Sequence, residues 1–233
     1  MSLRQPVTGY RAAIDPVLLA AASEPPNRSR VADLGCGVGA ALLCLGWRRP
    51  DLALVGLEIS PELVTLAREN VVANGFTARA EILHGDVEAP PRALAPNTFD
   101  AVMINPPYGE TARADPSPQA DKRRATLEEG RDGLARWVAA GLRLLKPKGS
   151  LVIIQRADRL DDLLIAVAGR AGDVVVFPLW PKAGVAAKRV IVRARKGRHG
   201  PLTLAPGLVL HDRDGRYTAA ADAVLRQGAG LEL

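Results

Sequence analysis

The sequence predicts an α/β protein in which helices cover both faces of a mostly parallel β-sheet. From residue 31 to about residue 155, short apolar runs alternate with segments of helical periodicity, and this alternation is typical of parallel strands joined by helices. The first apolar run leads into a glycine-rich turn, and polar residues end the next ones. Beyond residue 173 the apolar runs follow one another directly, which indicates antiparallel strands that close one edge of the sheet.

Periodicity and the residues that start and stop helices assign the elements in chain order. The second helix has the clearest signals, because Ser60 can cap it, Pro61 suits its first turn and Gly75 suits its end. The predicted strands cover residues 30–35, 52–59, 79–86, 99–107, 149–155, 173–179, 188–195 and 207–212, and the predicted helices cover residues 40–49, 60–75, about 127–145 and 158–170. The residues expected to face inward are Leu63, Leu66, Ala67 and Val71 in the second helix and Leu134, Trp137, Val138 and Leu142 in the third.

Size, charge and cysteine content narrow the class of protein. The chain has 233 residues, a formal net charge of +6 and a pI of about 9.7, which suits one large domain and favours a polyanionic partner such as nucleic acid. Basic charge that serves solubility alone is the alternative.

Cys36 and Cys44 lack metal-ligand spacing and are interpreted as packing residues in a reducing compartment. With no apolar signal region and no membrane-length apolar run, we expect a cytoplasmic protein without membrane or metal partners. A monomer is expected, although no sequence signal sets the oligomeric state.

A glycine-rich turn follows the first strand, in the stretch VADLGCGVGA. Glycine accepts positive φ and lets the backbone approach a ligand, and a turn at a helix N-terminus offers free N–H groups. The spacing of Gly35, Gly37 and Gly39 departs from the dinucleotide fingerprint G-x-G-x-x-G, because two alanines follow Gly39. A tight strand–helix turn that binds no ligand is the alternative.

Acidic residues recur at the ends of the first three strands. Asp33 lies two residues before the first glycine, Glu58 ends the second strand and Asp86 ends the third. Ligands of such sheets bind outside the carboxyl ends of the strands, where Glu58 can accept both hydroxyls of a ribose and Asp86 can reach the edge of an adenine. A solvated acid at a strand end is the alternative for Glu58 and for Asp86.

The motifs DLGCGVGA, GLEIS, HGDV and NPPY, in this order and spacing, resemble those of the class I S-adenosylmethionine-dependent methyltransferases. The resemblance covers nearly the whole chain and implies a Rossmann-like fold, with a mostly parallel seven-stranded sheet, antiparallel edge strands and helices on both faces. It also implies S-adenosylmethionine as the cofactor, bound with its methionine part over the glycine turn. The cofactor-binding residues that it implies in this part of the chain are Asp33, Gly35, Gly37, Gly39, Glu58, Ile59, Asp86, Val87 and Asn105.

Within that family, Asn-Pro-Pro-Tyr at the end of the fourth strand is typical of amino-nitrogen targets: adenine N6, cytosine N4, guanine N2 or a protein glutamine amide. Such a nitrogen delocalises its lone pair, and two acceptors for its N–H groups can favour a pyramidal, more nucleophilic geometry. The predicted acceptors are the Asn105 side-chain carbonyl and the Pro106 backbone carbonyl, held by the stiff proline backbone. Tyr108 is predicted to stack on a flat target. A rigid strand exit without a catalytic role is the alternative.

The N-terminal stretch LRQPVTGYRAAIDPVLLAAA resembles the start of the bacterial tRNA (valine) adenine-N6 methyltransferases, which modify an adenine beside the anticodon. By this resemblance, residues 1–30 form a strap and helix over the cofactor site, and residues 31–233 form the methyltransferase domain. The strap residues expected against the cofactor pocket are Gln5, Gly9, Tyr10, Arg11 and Asp15. An ordinary surface strap is the alternative for Tyr10 and Arg11.

Basic residues follow the predicted active-site loop at residues 109–126 and crowd the last third of the chain. Phosphate contacts need such a surface, so tRNA is the expected partner. For the stretch KRVIVRARKG, a solvated edge strand protected by its charges is the alternative. The predicted RNA-binding residues are Lys122, Arg123, Arg124, Lys188, Arg189 and Arg193.

The sequence leaves other functions open. Methylation of adenine or guanine in rRNA or DNA, and methylation of a protein glutamine, use the same amine chemistry. The release factor glutamine methyltransferases carry a sizeable N-terminal helical domain, for which the roughly 30 residues before the glycine turn leave no room. Intact Glu58, Asp86 and Asn105 argue against a non-catalytic RNA-binding scaffold, and the glycine spacing argues against an NAD-dependent dehydrogenase.

Overall fold

The computed structural model describes residues 1–8, 11–107 and 131–233. Its helices are α1 Asp15–Ala21, α2 Ala40–Arg48, α3 Pro61–Ala73, α4 Arg131–Leu144, α5 Leu160–Val167 and α6 Ala219–Gln227. Its strands are β1 Arg30–Leu34, β2 Ala53–Glu58, β3 Ala80–His84, β4 Phe99–Ile104, β5 Leu145–Arg156, β6 Ala171–Lys182, β7 Arg189–Lys196, β8 Thr203–Leu204 and β9 Leu208–His211. The predicted α/β class is confirmed.

The strands form one nine-stranded sheet in the order β3-β2-β1-β4-β5-β7-β6, and β8 and β9 pair with different parts of β6. Among the strands described, β7 alone runs antiparallel to its neighbours. The expectation of seven strands with antiparallel strands at the edge is therefore corrected: the antiparallel strand lies inside the sheet. The reason is that β6 pairs beyond β7, although it precedes β7 in the chain, and this non-local pairing leaves no signal in the apolar runs.

The sheet separates two apolar cores. Successive strand residues point to opposite faces, so that Val31 belongs to one core and Ala32 to the other. Helices α1, α2, α3 and α6 contribute to the first core, and α4 and α5 contribute to the second. Because both faces of the central strands are covered, residues 101–104 of β4 are all buried, as in other parallel sheets enclosed by helices.

Helix α3 begins and ends as predicted, but its buried face is rotated. Ser60 Oγ accepts a hydrogen bond from the Leu63 N–H at 3.4 Å, and Gly75 follows the helix with a φ of +73°. The predicted inward residues Leu63 and Leu66 are only half-buried. The fully buried positions of α3 are Val64, Ala67, Asn70 and Val71. A buried asparagine shifts the true face away from the one that apolar residues alone indicate.

The predicted inward face of α4 is confirmed. Its buried residues include Leu134, Trp137, Val138 and Leu142. Within the described ranges, no helix is long and apolar enough to cross a membrane.

Candidate active site

The carboxyl ends of β3, β2, β1 and β4 lie side by side and bring the predicted site residues to one edge of the sheet. The last residue of β1 pairs with Leu57 in β2 and with the last residue of β4. Gly35 therefore lies level with Glu58 on one side and with Asn105 on the other. The last residue of β3 pairs with Glu58, and Asp86 follows two residues later. With about 4.8 Å between neighbouring strands, this row spans about 14 Å.

The turn between β1 and α2 has a backbone conformation that its glycines permit. Gly35, Gly37 and Gly39 have φ angles of +67°, +55° and +84°, a region that residues with a side chain rarely adopt. The turn is fastened to β2, because the N–H groups of Gly35 and Cys36 donate to the Leu57 carbonyl at 2.8 and 3.0 Å. It leads into the first turn of α2, whose free N–H groups can face a ligand.

Glu58 joins this turn to the exit of β2. Its Oε2 accepts a hydrogen bond from the Gly37 N–H at 2.8 Å, and its Oε1 accepts from the N–H groups of Ile59 and Ser60 at 2.9 Å each. The residue is 7% exposed, and the three N–H groups offset the cost of burying a carboxylate. Beside it, Ile59 leaves 37% of its surface exposed, so an apolar contact is available to a ligand.

Asp33 is buried beneath the turn with one carboxyl oxygen unsatisfied. The residue is 2% exposed, and its Oδ2 has no hydrogen-bond partner within residues 1–8, 11–107 and 131–233. Burial raises the pKa of the Asp33 carboxyl to about 7, while the Leu42 N–H opposes this rise and the Glu58 charge adds to it. An unsatisfied buried oxygen of this kind suits an N–H or ammonium group of a ligand.

Asp86 and Val87 lie beyond β3 at the opposite end of the row from Asn105. Asp86 is half-buried, and its Oδ1 accepts a hydrogen bond from the Glu88 N–H at 2.9 Å. Val87 is half-buried and packs against the second core. This end of the cleft therefore combines a carboxylate with apolar contacts.

Asn105, Pro106 and Pro107 continue β4 out of the sheet. Pro106 is buried, and its two neighbours are half-buried. Because each proline ring fixes its φ, the backbone that carries the Asn105 side chain and the Pro106 carbonyl has little freedom. The backbone that carries these two oxygens therefore lies on the strand beside Gly35.

The N-terminal segment is connected to the glycine turn through Asn70 of α3, which forms hydrogen bonds with both Arg4 and Val38. Gln5 Oε1 accepts a hydrogen bond from the Ala12 N–H at 2.7 Å. Arg11 is exposed. The predicted site residues that lie outside the described parts of the chain are Gly9, Tyr10, Tyr108, Lys122, Arg123 and Arg124.

The basic residues of β7 are spread across the sheet. Arg189 begins β7 opposite Arg156, at the carboxyl edge of the parallel strands, and its Nε donates to Asp15 of α1 at 3.2 Å. Lys188 precedes it and is exposed. Arg193 lies four residues farther inward, and its buried Nε has no hydrogen-bond partner in the described part of the chain. Burial lowers the pKa of the Arg193 guanidinium. Because Arg193 lies inward from the carboxyl edge, the start of β7 is the part of this strand that presents cations at the site.

Residues 14–121 match the family model of the methyltransferase small domain. The structure is also similar to the crystal structure of a predicted O-methyltransferase, protein Atu636, from Agrobacterium tumefaciens. The TM-score is 0.77 and the sequence identity 26%, over 93% of this chain and 98% of the other. The chain has a methyltransferase small domain and the class I methyltransferase fold.

Two curated relatives of this methyltransferase domain have names with different substrates. A release factor glutamine methyltransferase of Moorella thermoacetica is 37% identical over 164 residues, which cover 66% of this chain and 56% of the relative. A tRNA1(Val) (adenine(37)-N6)-methyltransferase of Glaesserella parasuis is 26% identical over 208 residues, which cover 88% of this chain and 84% of the relative. The chain spans about half the length of the first curated relatives that it matches.

S-adenosylmethionine is the cofactor of class I methyltransferases, and the residues of this methyltransferase site fit it. The unsatisfied Asp33 oxygen beneath the glycine turn suits the cationic amino group of its methionine part. Glu58, at the next strand end, suits the ribose hydroxyls. The exposed surface of Ile59 and the carboxylate of Asp86 suit the face and the amino edge of the adenine.

Two residues that support the methyltransferase site are not predicted by the sequence motifs. The sequence predicts Trp137 as a core residue, and in the structure it also packs against the cofactor turn (residues 35–39): a Cβ placed on Gly35 would lie 2.7 Å from its ring. Asn70 of α3 is fully buried, and its Nδ2 donates to the carbonyl of Val38 in the turn at 3.0 Å. A signal for Asn70 was present, because this polar residue lies one position from Val71 and three from Ala67 on the buried face.

Proposed function

We propose that this protein is an S-adenosylmethionine-dependent N-methyltransferase that methylates the N6 amine of an adenine in tRNA, beside the anticodon of a valine tRNA. The observation that carries the proposal is the position of Asn105 and Pro106. They follow β4 on the strand next to β1, level with Gly35 in the cofactor turn. An amine bound by these two residues would lie beside the cofactor. A tRNA substrate would place the protein in the cytoplasm.

The proposed chemistry depends mainly on orientation. S-adenosylmethionine supplies an electrophilic methyl group on a sulfonium sulfur. The Asn105 side-chain carbonyl and the Pro106 backbone carbonyl accept the two N–H groups of the adenine amine, so that the nitrogen becomes pyramidal and its lone pair points along the line of transfer. No general base is required if the proton leaves after transfer. Tyr108 provides the stacking surface for the adenine.

Cations at the same edge of the sheet support an RNA substrate. Lys182 ends β6 and Lys188 precedes β7, and both are exposed, as is Arg213 after β9. Strands β6 and β9 run parallel to β4, and β7 runs antiparallel, so these three cations lie at the edge that carries Asn105. The farthest is four strand spacings away, about 19 Å. Phosphates held along this edge, which we call the basic edge (Lys182, Lys188, Arg189 and Arg213), would position an unpaired base at the cleft.

The extent of the sequence matches favours tRNA over a protein amide. The match to the tRNA enzyme includes 88% of this chain, so it must continue beyond residues 14–121 into the later strands that carry the basic edge. Glutamine methylation is the second candidate, because the match to the release factor enzyme has the higher identity, 37%. A glutamine amide also presents an NH2 group, whose hydrogen bonds the carbonyl oxygens of Asn105 and Pro106 could accept.

A direct comparison of acceptors tests the proposal. Purified protein and labelled S-adenosylmethionine would be incubated with unmodified total tRNA and, separately, with unmethylated release factor. Digestion of the RNA and mass spectrometry of its nucleosides should reveal N6-methyladenosine. Label in a glutamine of the protein would instead establish the second candidate. Binding of S-adenosylhomocysteine without transfer to either acceptor would point to another acceptor, such as rRNA or DNA, or to a non-catalytic scaffold.

The role of Asn105 has its own test. Asn105→Ala removes one of the two acceptors, and transfer should fall by about 100-fold or more, as when one preorganised polar group is removed from other active sites. Binding of S-adenosylhomocysteine should change little. Asn105→Asp is the matched control, because it keeps an acceptor oxygen at the same place and should retain more activity than the alanine variant. Wild-type turnover in Asn105→Ala would exclude the assigned role.

A further inference from the structure

The first residues of the chain lie against α3 much as a strand lies against its neighbour. The Ser2 N–H donates to Asn74 Oδ1 at 2.9 Å, and Asn74 Nδ2 donates to the Ser2 carbonyl at 2.7 Å. Arg4 exchanges the same two bonds with Asn70, at 2.7 and 2.9 Å. Two residues of extended chain span about 6.7 Å, and one helical turn of four residues spans about 6 Å. The spacing between alternate strap residues, Ser2 and Arg4, therefore nearly equals the spacing between two side-chain amides that lie one helical turn apart.

Asn70 makes a contact that its neighbour along the helix does not make in the described structure. Its Nδ2 also donates to the carbonyl of Val38 at 3.0 Å, between the second and third glycines of the cofactor turn. Asn70 is 0% exposed, and both of its N–H groups and its carbonyl oxygen are engaged. It is thus a single side chain that binds the strap and the cofactor turn together.

The Val38 carbonyl belongs to the peptide unit that precedes Gly39, so holding it fixes the direction of that peptide. Gly37 and Gly39 have positive φ, and without side chains they can rotate easily. Glu58 restrains the turn from one side through the Gly37 N–H. Asn70 restrains it through the Val38 carbonyl, and the same amide also binds the strap at Arg4.

We propose that Asn70 is a positioning residue that couples the N-terminal strap to the cofactor turn, so that cofactor binding and strap docking favour each other. The proposal rests on the proposed function only in taking S-adenosylmethionine as the ligand of the turn. Ordering of the turn by the cofactor fixes the Val38 carbonyl, and the Asn70 amide is then oriented for Arg4. Docking of the strap orients the same amide and lowers the conformational cost of ordering the turn.

The matched pair Asn70→Ala and Asn74→Ala separates this role from simple strap attachment. Each variant removes two hydrogen bonds to the strap, but only Asn70→Ala releases the Val38 carbonyl. We expect the dissociation constant of S-adenosylhomocysteine, measured by calorimetry, to rise about tenfold or more in Asn70→Ala, because the released turn must then be ordered when the ligand binds. The dissociation constant of Asn74→Ala should stay close to that of the wild type.

Hydrogen exchange provides a measurement that a merely structural role would not affect. In the wild type and in Asn74→Ala, S-adenosylhomocysteine should slow the exchange of amides in residues 3–8. In Asn70→Ala this ligand-dependent slowing should be lost, even at ligand concentrations that saturate the variant.

A second pair of variants, Arg4→Pro and Arg4→Ala, leaves the buried core unchanged and can be used if Asn70→Ala does not fold. Arg4 is exposed, and only the proline removes the N–H that binds Asn70. We therefore expect weaker ligand binding and weaker slowing in Arg4→Pro alone.

Two results would overturn the coupling. One is unchanged affinity and unchanged ligand-dependent protection in Asn70→Ala, or in Arg4→Pro if the former does not fold. The other is an equal loss of affinity in Asn70→Ala and Asn74→Ala, which would assign the effect to strap attachment in general. A wild-type protein that binds no S-adenosylhomocysteine would overturn the proposed function itself, an outcome that these variant comparisons distinguish.

Discussion

Gly35→Ala should destabilise the protein because Trp137 encloses the cofactor turn. The added Cβ would lie 2.7 Å from Cη2 and 3.1 Å from Cζ3 of the Trp137 ring, at a φ of +67°. That backbone region costs an L side chain about 1–2 kcal/mol. Trp137 is 8% exposed within the second core, so it cannot move aside freely, and overpacking adds about 1–3 kcal/mol. The free energy of unfolding should therefore fall by about 2–5 kcal/mol.

Gly75→Ala is the matched control for this change. Gly75 has a similar φ of +73°, but no heavy atom of the described chain lies within 4 Å of the position of its added Cβ. Only the backbone cost of about 1–2 kcal/mol remains, and the stiffer unfolded chain returns part of it. Urea unfolding followed by circular dichroism, with midpoints compared at equal m-values, measures both variants. Equal losses of stability would refute the reasoning, as would a failure of Trp137→Leu to restore part of the loss in Gly35→Ala.

Two further predictions concern the Asp33 carboxyl and the basic edge. Burial holds the Asp33 pKa near 7 in the folded protein, so folding retains a proton that the unfolded chain loses above about pH 4, and this carboxyl costs stability as the pH rises from about 4 to 7. Asp33→Asn should therefore gain stability relative to the cofactor-free wild type between about pH 5 and about pH 8, as measured by urea midpoints, and a difference that does not change with pH would contradict this. If Lys188 binds one phosphate of a duplex, Lys188→Ala should reduce the slope of log K for tRNA against log salt by about 0.9. Arg198→Ala, at the opposite edge of the sheet beside Asp173, should leave that slope unchanged, and equal slopes for both variants would move the RNA surface elsewhere.

Much of the site could be predicted from the sequence because the parallel strands of a sheet have their carboxyl ends at the same edge. Once the alternation of strands and helices was recognised, Glu58, Gly35 and Asn105 had to lie at one edge of the sheet, since parallel strands have their carboxyl ends together. Turn chemistry also placed the ends of α3, where Ser60 caps the helix and Gly75 follows it. These features depend on a few residues that are neighbours in the chain, so the sequence alone is enough to predict them.

The tertiary structure determined the features that depend on contacts between distant segments, namely the position of β7 in the sheet and the buried face of α3. Strand β7 reads as a charged edge strand, yet it lies between β5 and β6, so Arg193 is drawn inward while Lys188 stays exposed at the site. The buried face of α3 is centred on residues that include Asn70, because its amide satisfies backbone groups of the strap and of the cofactor turn. Burial of a polar side chain is set by the partners that surround it in space. The residues themselves determined which chemistry was available at the strand ends, and the packing of distant segments determined which charges and amides reach it.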